Sequence, residues 1–106
     1  MTCYGVNLEY FEEQLNEELE GACCYAKLAI ETRAMSVTWG KMFIEMSVEE
    51  LDHANHLFKM FEEYCELISK PYDETPEYIS KAHEKVVDMY TKKSAKVRYM
   101  HDMYSR

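Results

Sequence analysis

Both prolines of this 106-residue chain fall within one six-residue span, at Pro71 and Pro76. Proline cannot continue a helix, because it lacks the N–H and its ring clashes with the preceding turn. That span is therefore a forced break, and the chain on either side of it is free of the strongest helix breaker. Leu, Ala, Met, Glu and Lys are abundant and glycine occurs three times, which favours helix over sheet. No stretch alternates with the two-residue period of a strand. The expected fold is all-α, one domain of three long helices: a long antiparallel hairpin followed by a third long helix.

Capping signals set the bounds. Helix 1 is expected over about residues 7–34, with Asn7 as its N-cap and Glu9, Glu12 and Glu13 at the positive end of its dipole. A break at Met35–Thr38 supplies Ser36 or Thr38 as the next cap, and helix 2 follows over about residues 38–69. Helix 3 is expected over about residues 76–104, with Thr75 at N-cap and Pro76 at the first helical position.

A three-four rhythm marks the apolar stripes. On helix 1 it runs through Leu8, Phe11, Leu15, Ala22, Tyr25 and Ala29, with Glu18 filling one place. On helix 2 it runs through Trp39, Phe43, Met46, Leu57, Met60, Tyr64 and Leu67, with Glu50 and His53 filling two. Burying unpaired polar groups costs several kcal/mol, so carboxylates and an imidazole in such stripes call for a reason. In an antiparallel hairpin, residues equally far from the turn share a height. Glu18, Glu50 and His53 all lie roughly 22–27 Å from the first turn at 1.5 Å per residue. They are expected at one level on facing stripes.

Glu-x-x-His facing a bundle core is the ligand arrangement of dinuclear carboxylate centres, which need about four carboxylates and two histidines. One hairpin holds half that set. The stretch of helix 3 at the same height, Lys92–Arg98, carries no ligand. A two-fold axis relating two hairpins would complete the count with second copies of Glu18, Glu50 and His53.

Glu17-Glu18-Leu19-Glu20 with Tyr25, then Glu49-Glu50-Leu51-Asp52-His53-Ala54 with Leu57, resembles the ferritin-like superfamily. Over about residues 8–68 the chain is most similar to the encapsulated ferritin-like proteins, short hairpins that assemble an iron-oxidising centre at a dimer interface. The resemblance implies a four-helix bundle completed by dimerisation in a homodimer or higher oligomer. It implies Glu18, Glu50 and His53 as metal ligands, Glu17 near the metal access route, and Tyr25 close to the centre as a catalytic residue. It implies a ferroxidase acting on Fe(II) at a di-iron site, with manganese as the other metal suited to hard oxygen and imidazole ligands. Two departures stand out. Cys24 replaces the family's tryptophan before the tyrosine, and no shell-targeting peptide closes the chain, so an encapsulin partner has no motif behind it.

Two other readings compete. Lys93, at the height of the trio, could neutralise Glu50 or Glu18 in a buried salt-bridged core. Alternatively the hairpin is a non-catalytic assembly protein, with helix 3 as its contact surface. The net charge of −8 argues against nucleic acid as a partner. No apolar run approaches the roughly 20 residues of a membrane span, and the start of the chain lacks a signal-peptide pattern. Cys3, Cys23, Cys24 and Cys65 form no Cys-x-x-Cys pair and are expected as reduced thiols in a cytoplasmic setting. His56 is expected on a solvated face, His83 and His101 at the surface or an interface, and Tyr90, Tyr99 and Tyr104 at a subunit interface.

Overall fold

The computed structural model describes residues 5–106, so Cys3 lies outside the described residues. Three helices account for the fold: α1 (Leu8–Thr32), α2 (Val37–Ser69) and α3 (Glu77–Ser105). No strand occurs among the described residues. Asn7 caps α1 by accepting from the Tyr10 N–H at 2.7 Å, and Ser36 caps α2 by accepting from the Trp39 N–H at 3.1 Å. The start of α3 differs from expectation. Thr75 makes no side-chain cap; Pro76 itself is the N-cap, with ψ of 144°, and its carbonyl accepts from Ile79 and Ser80. Its fixed φ suits the helix, but the extended ψ keeps it one residue outside.

The α1–α2 turn is closed by contact rather than by a long loop. A Cβ on Gly40 would stand 2.8 Å from the Arg33 Cβ, so only glycine lets the start of α2 approach the end of α1 this closely. α1 and α2 then pack along their lengths, with α3 across one face of the hairpin and nearer to α1. α3 runs antiparallel to α2, bridged to it by three side-chain pairs. His83 meets Glu62, the Tyr90 hydroxyl donates to Asn55 at 2.5 Å, and His101 contacts Ser47 at 2.7 Å. The two histidines expected at the surface or an interface, His83 and His101, thus bridge helices. Tyr90 also belongs to this joint, its ring stacked on Phe58 at 4.0 Å. Arg33 fastens the last turn of α3, donating to the Tyr104 carbonyl at 2.8 Å and lying over the Tyr104 ring. Of the three tyrosines expected at an interface, only Tyr99 stands clear, 60 % exposed. At the opposite end α2 and α3 part, leaving an open cavity of about 540 Å³ lined by Glu62, Cys65, Ile79 and His83.

The core is a single cluster of Phe11, Leu15, Leu19, Ala22, Leu51, Ala54, Phe61, Cys65, Ile79, Val86 and Val97. On α2 it does not follow the expected stripe. The buried face is Gly40, Ser47, Leu51, Ala54, Phe61 and Cys65. Trp39, Met46, Met60 and Leu67, expected inside, are 38–58 % exposed. The physical reason is size. Gly40 lies against Arg33 and the Ala29 carbonyl, and Ser47 donates to the Ala22 carbonyl, so the backbones pack closely along that line. The bulky residues one step round α2 are left outside.

Candidate metal centre

Glu18 comes from α1, and Glu50 and His53 from one turn of α2. Antiparallel packing brings them level, as the spacing predicts, and one ligand atom of each lies within 4.8 Å of the others. His53 Nδ1 stands 3.5 Å from Glu18 Oε2. The trio lies beside the α1–α2 seam, on the hairpin face away from α3. Glu18 and Glu50 are half-buried there, while His53, expected in a covered seam, is exposed.

The local electrostatics are unfavourable. Glu18 Oε2 is buried and has no hydrogen-bond donor. The Glu50 carboxyl is pushed from 4.5 up to about 7, first by hydrogen bonding with Glu18, then by burial and by the Glu18 charge, with His53 opposing. A carboxyl–carboxyl hydrogen bond exists only while one of the two carries a proton. With both ionised, Glu18 Oε2 faces a like charge without a donor.

Room for Glu50 comes from Gly21, which the sequence reading passed over. A Cβ at that position would meet Glu50 Oε2 at 3.3 Å. A lone glycine inside a long helix was the available signal, since glycine there costs about 1 kcal/mol against alanine. Ser47 is the second omission. Fully buried one turn before Glu50, its hydroxyl donates to the Ala22 carbonyl at 2.6 Å and contacts His101 Nε2. It pins α2 to α1 next to the Gly21–Glu50 contact. Burial holds the His101 imidazole below its ordinary range.

The salt-bridged core does not form. Lys93 has the expected height but reaches α1 from the far side, where it meets Asn16 and, at 3.3 Å, Glu20. Lys92 pairs with Asp88 on its own helix. The reason lies in α1, whose Leu19 and Ala26 widen the apolar stripe and draw α3 to the side opposite the carboxylates. Among the described residues no lysine or arginine pairs with Glu18 or Glu50.

Around the trio, Tyr25 stacks on Phe43 with ring centroids 6.3 Å apart. Glu17 is exposed, as are Glu49, Asp52 and His56 on the outer face of the hairpin. The donor set is two carboxylates and one imidazole, suited to a divalent cation of intermediate hardness. A bound cation would give the buried Glu18 oxygen a partner and offset the Glu18–Glu50 repulsion. No helix among the described residues is long and apolar enough to cross a membrane. No family model matches this chain, and neither does any curated protein or solved structure.

Proposed function

We propose that this chain is a ferritin-like iron-binding protein, acting as a ferroxidase at a di-iron centre shared by two copies. The observation that carries the reading is the buried oxygen of Glu18, without a hydrogen-bond donor, beside a second carboxylate that no lysine or arginine among the described residues neutralises. Structural ion pairs are completed by a cation, and metal sites supply that cation from solution. One copy offers two carboxylates and one imidazole, half of a dinuclear set. Helical spacing puts Met42, Met46 and Met60, all exposed, on the same side of α2 within about two turns of Glu50 and His53. A second hairpin docked on that face by a two-fold axis would cover them and bring in the missing ligands.

In that arrangement the carboxylates of Glu18 and Glu50 and the imidazole of His53, from both copies, would hold the iron. Bound Fe(II) is the substrate and supplies electrons to dioxygen, one per iron. Gly21 leaves room for the Glu50 carboxylate against α1. Tyr25 and Phe43 wall the site towards the hairpin turn. Glu17, exposed beside Glu18, offers a first carboxylate to an arriving cation.

Anaerobic loading with Fe(II) followed by air tests the proposal. About one iron per chain, in a dimer or larger oligomer, with oxygen uptake and a rise in near-ultraviolet absorbance, supports it. Two irons per monomer, or none, overturns it. Oligomerisation without metal or oxygen uptake establishes instead the non-catalytic assembly role.

A further inference from the structure

Serine and threonine inside a helix ordinarily bond back to their own helix, one turn earlier. Thr32 donates to the Leu28 carbonyl at 2.7 Å, Ser69 to Cys65 at 2.7 Å and Ser105 to His101 at 3.0 Å. Ser47 departs from this pattern. Its hydroxyl crosses to α1 and donates to the Ala22 carbonyl at 2.6 Å. What sets Ser47 apart is a third helix: His101 of α3 brings its Nε2 to 2.7 Å from the same hydroxyl oxygen. Contacts on either side keep the ring within reach. The Cys23 thiol donates to the Met100 thioether at 3.7 Å, and Arg33 donates to the Tyr104 carbonyl at 2.8 Å.

Counting protons fixes the direction of both bonds. Burial holds the His101 imidazole below its ordinary range, so at pH 7 it is neutral and carries one ring proton. The Ser47 hydroxyl has one proton as well. Were it given to His101, the Ala22 carbonyl would face the Ser47 oxygen at 2.6 Å with no proton between them. Ser47 therefore donates to Ala22, and His101 donates its Nε2–H to Ser47, leaving Nδ1 unprotonated.

We propose that His101 is a positioning residue of the metal centre, acting through Ser47; the inference rests on the metal-binding reading of Glu18, Glu50 and His53. By donating to the Ser47 oxygen, His101 turns the hydroxyl away from its own helix and onto α1. Glu50 follows Ser47 by three residues, so the two side chains are neighbours on α2. Gly21 precedes Ala22, and a Cβ there would stand 3.3 Å from Glu50 Oε2. The Ser47–Ala22 bond thus closes the α1–α2 seam beside the point where Glu50 rests on α1. Without the imidazole, Ser47 is free to bond back along α2, and the seam loses its pin. α3 supplies no ligand to the trio, yet through His101 it sets where one of the ligands stands.

Anaerobic Fe(II) titration, run well below every variant's melting temperature, separates positioning from stability. His101→Leu should weaken iron binding about tenfold, while His101→Gln, whose amide nitrogen can donate near the place of Nε2, should restore it. His101→Asn, too short to reach Ser47, serves if leucine disturbs folding. Ser47→Ala should lose as much affinity as His101→Leu, and the double variant no more than either. Val86→Ala, a core change on α3 about four turns from His101, should lower stability and leave iron affinity unchanged. Proton–nitrogen NMR of the labelled histidines in metal-free protein should show His101 protonated at Nε2. Parent-like binding by His101→Leu, additive losses with Ser47→Ala, an equal loss in Val86→Ala, or a proton on Nδ1 overturns the inference alone. A parent chain that takes up no iron overturns the metal reading itself, and the positioning role with it.

Discussion

Replacing Glu50 with Gln removes a charge while keeping the side chain's size, and its effect should change sign with metal. In the folded chain the Glu50 carboxyl titrates near 7 rather than 4.5. Between those values the folded state binds more protons than the unfolded one, so this group's contribution to stability falls as pH rises. The loss is complete above about pH 7. A displacement of that size corresponds to about 3 kcal/mol. Glu50 is half-buried on an open face, and screening by water lowers the figure to about 1–2 kcal/mol. E50Q should therefore stabilise the metal-free protein by that amount at pH 8, raising Tm by about 5–10 °C, and by much less at pH 5. The parent's own pH profile does not isolate this. His101, held below its ordinary range by burial, opposes it: its protonation favours the unfolded chain, and stability is lost as pH falls below 6.5. The difference between variant and parent cancels His101. Melts followed by circular dichroism in chelator, from pH 5 to 8, give that difference. With Fe(II) under anaerobic conditions the order should invert, because only the parent gains binding energy. A variant less stable than the parent in chelator at pH 8, or a gain equal at both ends of the pH range, would refute the reading of Glu50 as a repelled carboxylate.

His53→Ala should weaken metal binding at least about tenfold with helix content unchanged, measured by metal analysis and circular dichroism; unfolding in metal-free buffer would mark His53 as structural. In Gly21→Ala the new Cβ would press on Glu50 Oε2 at 3.3 Å. Metal affinity should fall although the helix gains about 1 kcal/mol of propensity, a split that titration calorimetry and melting separate. Ser47→Ala should cost about 1–3 kcal/mol in denaturant melts, since it leaves the Ala22 carbonyl and His101 without their shared partner.

Heights along the helices were readable from the sequence, but faces around them were only partly so. Counting residues from the turns placed Glu18 level with Glu50 and His53, and placed Lys93 at the same level. Rise per residue is fixed by the helix itself. Azimuth depends on which stripe is buried, and α2 has two candidate stripes side by side. The bulky one, Trp39 through Leu67, drew attention by hydrophobicity, whereas the buried one, Gly40 through Cys65, is assembled largely from small residues. For the same reason Lys93, which by height alone could also have neutralised the carboxylates, stands instead behind α1. Asn7 and Ser36 were legible because capping is local chemistry. Gly21 and Ser47 were not singled out, since their roles exist only once α1 and α2 are side by side.

The clamp of Arg33 on the last turn of α3 has a consequence for how the molecule opens. Helix ends ordinarily fray first. Here the final turn is tied to the hairpin by Arg33 and, nearby, by His101 and Ser47, whereas the start of α3 borders an open cavity. Backbone amides near Tyr104 should exchange with deuterated water more slowly than those of the first turns after Glu77. Partial unfolding of α3 would then begin at the proline-bounded bend and travel towards the C-terminus.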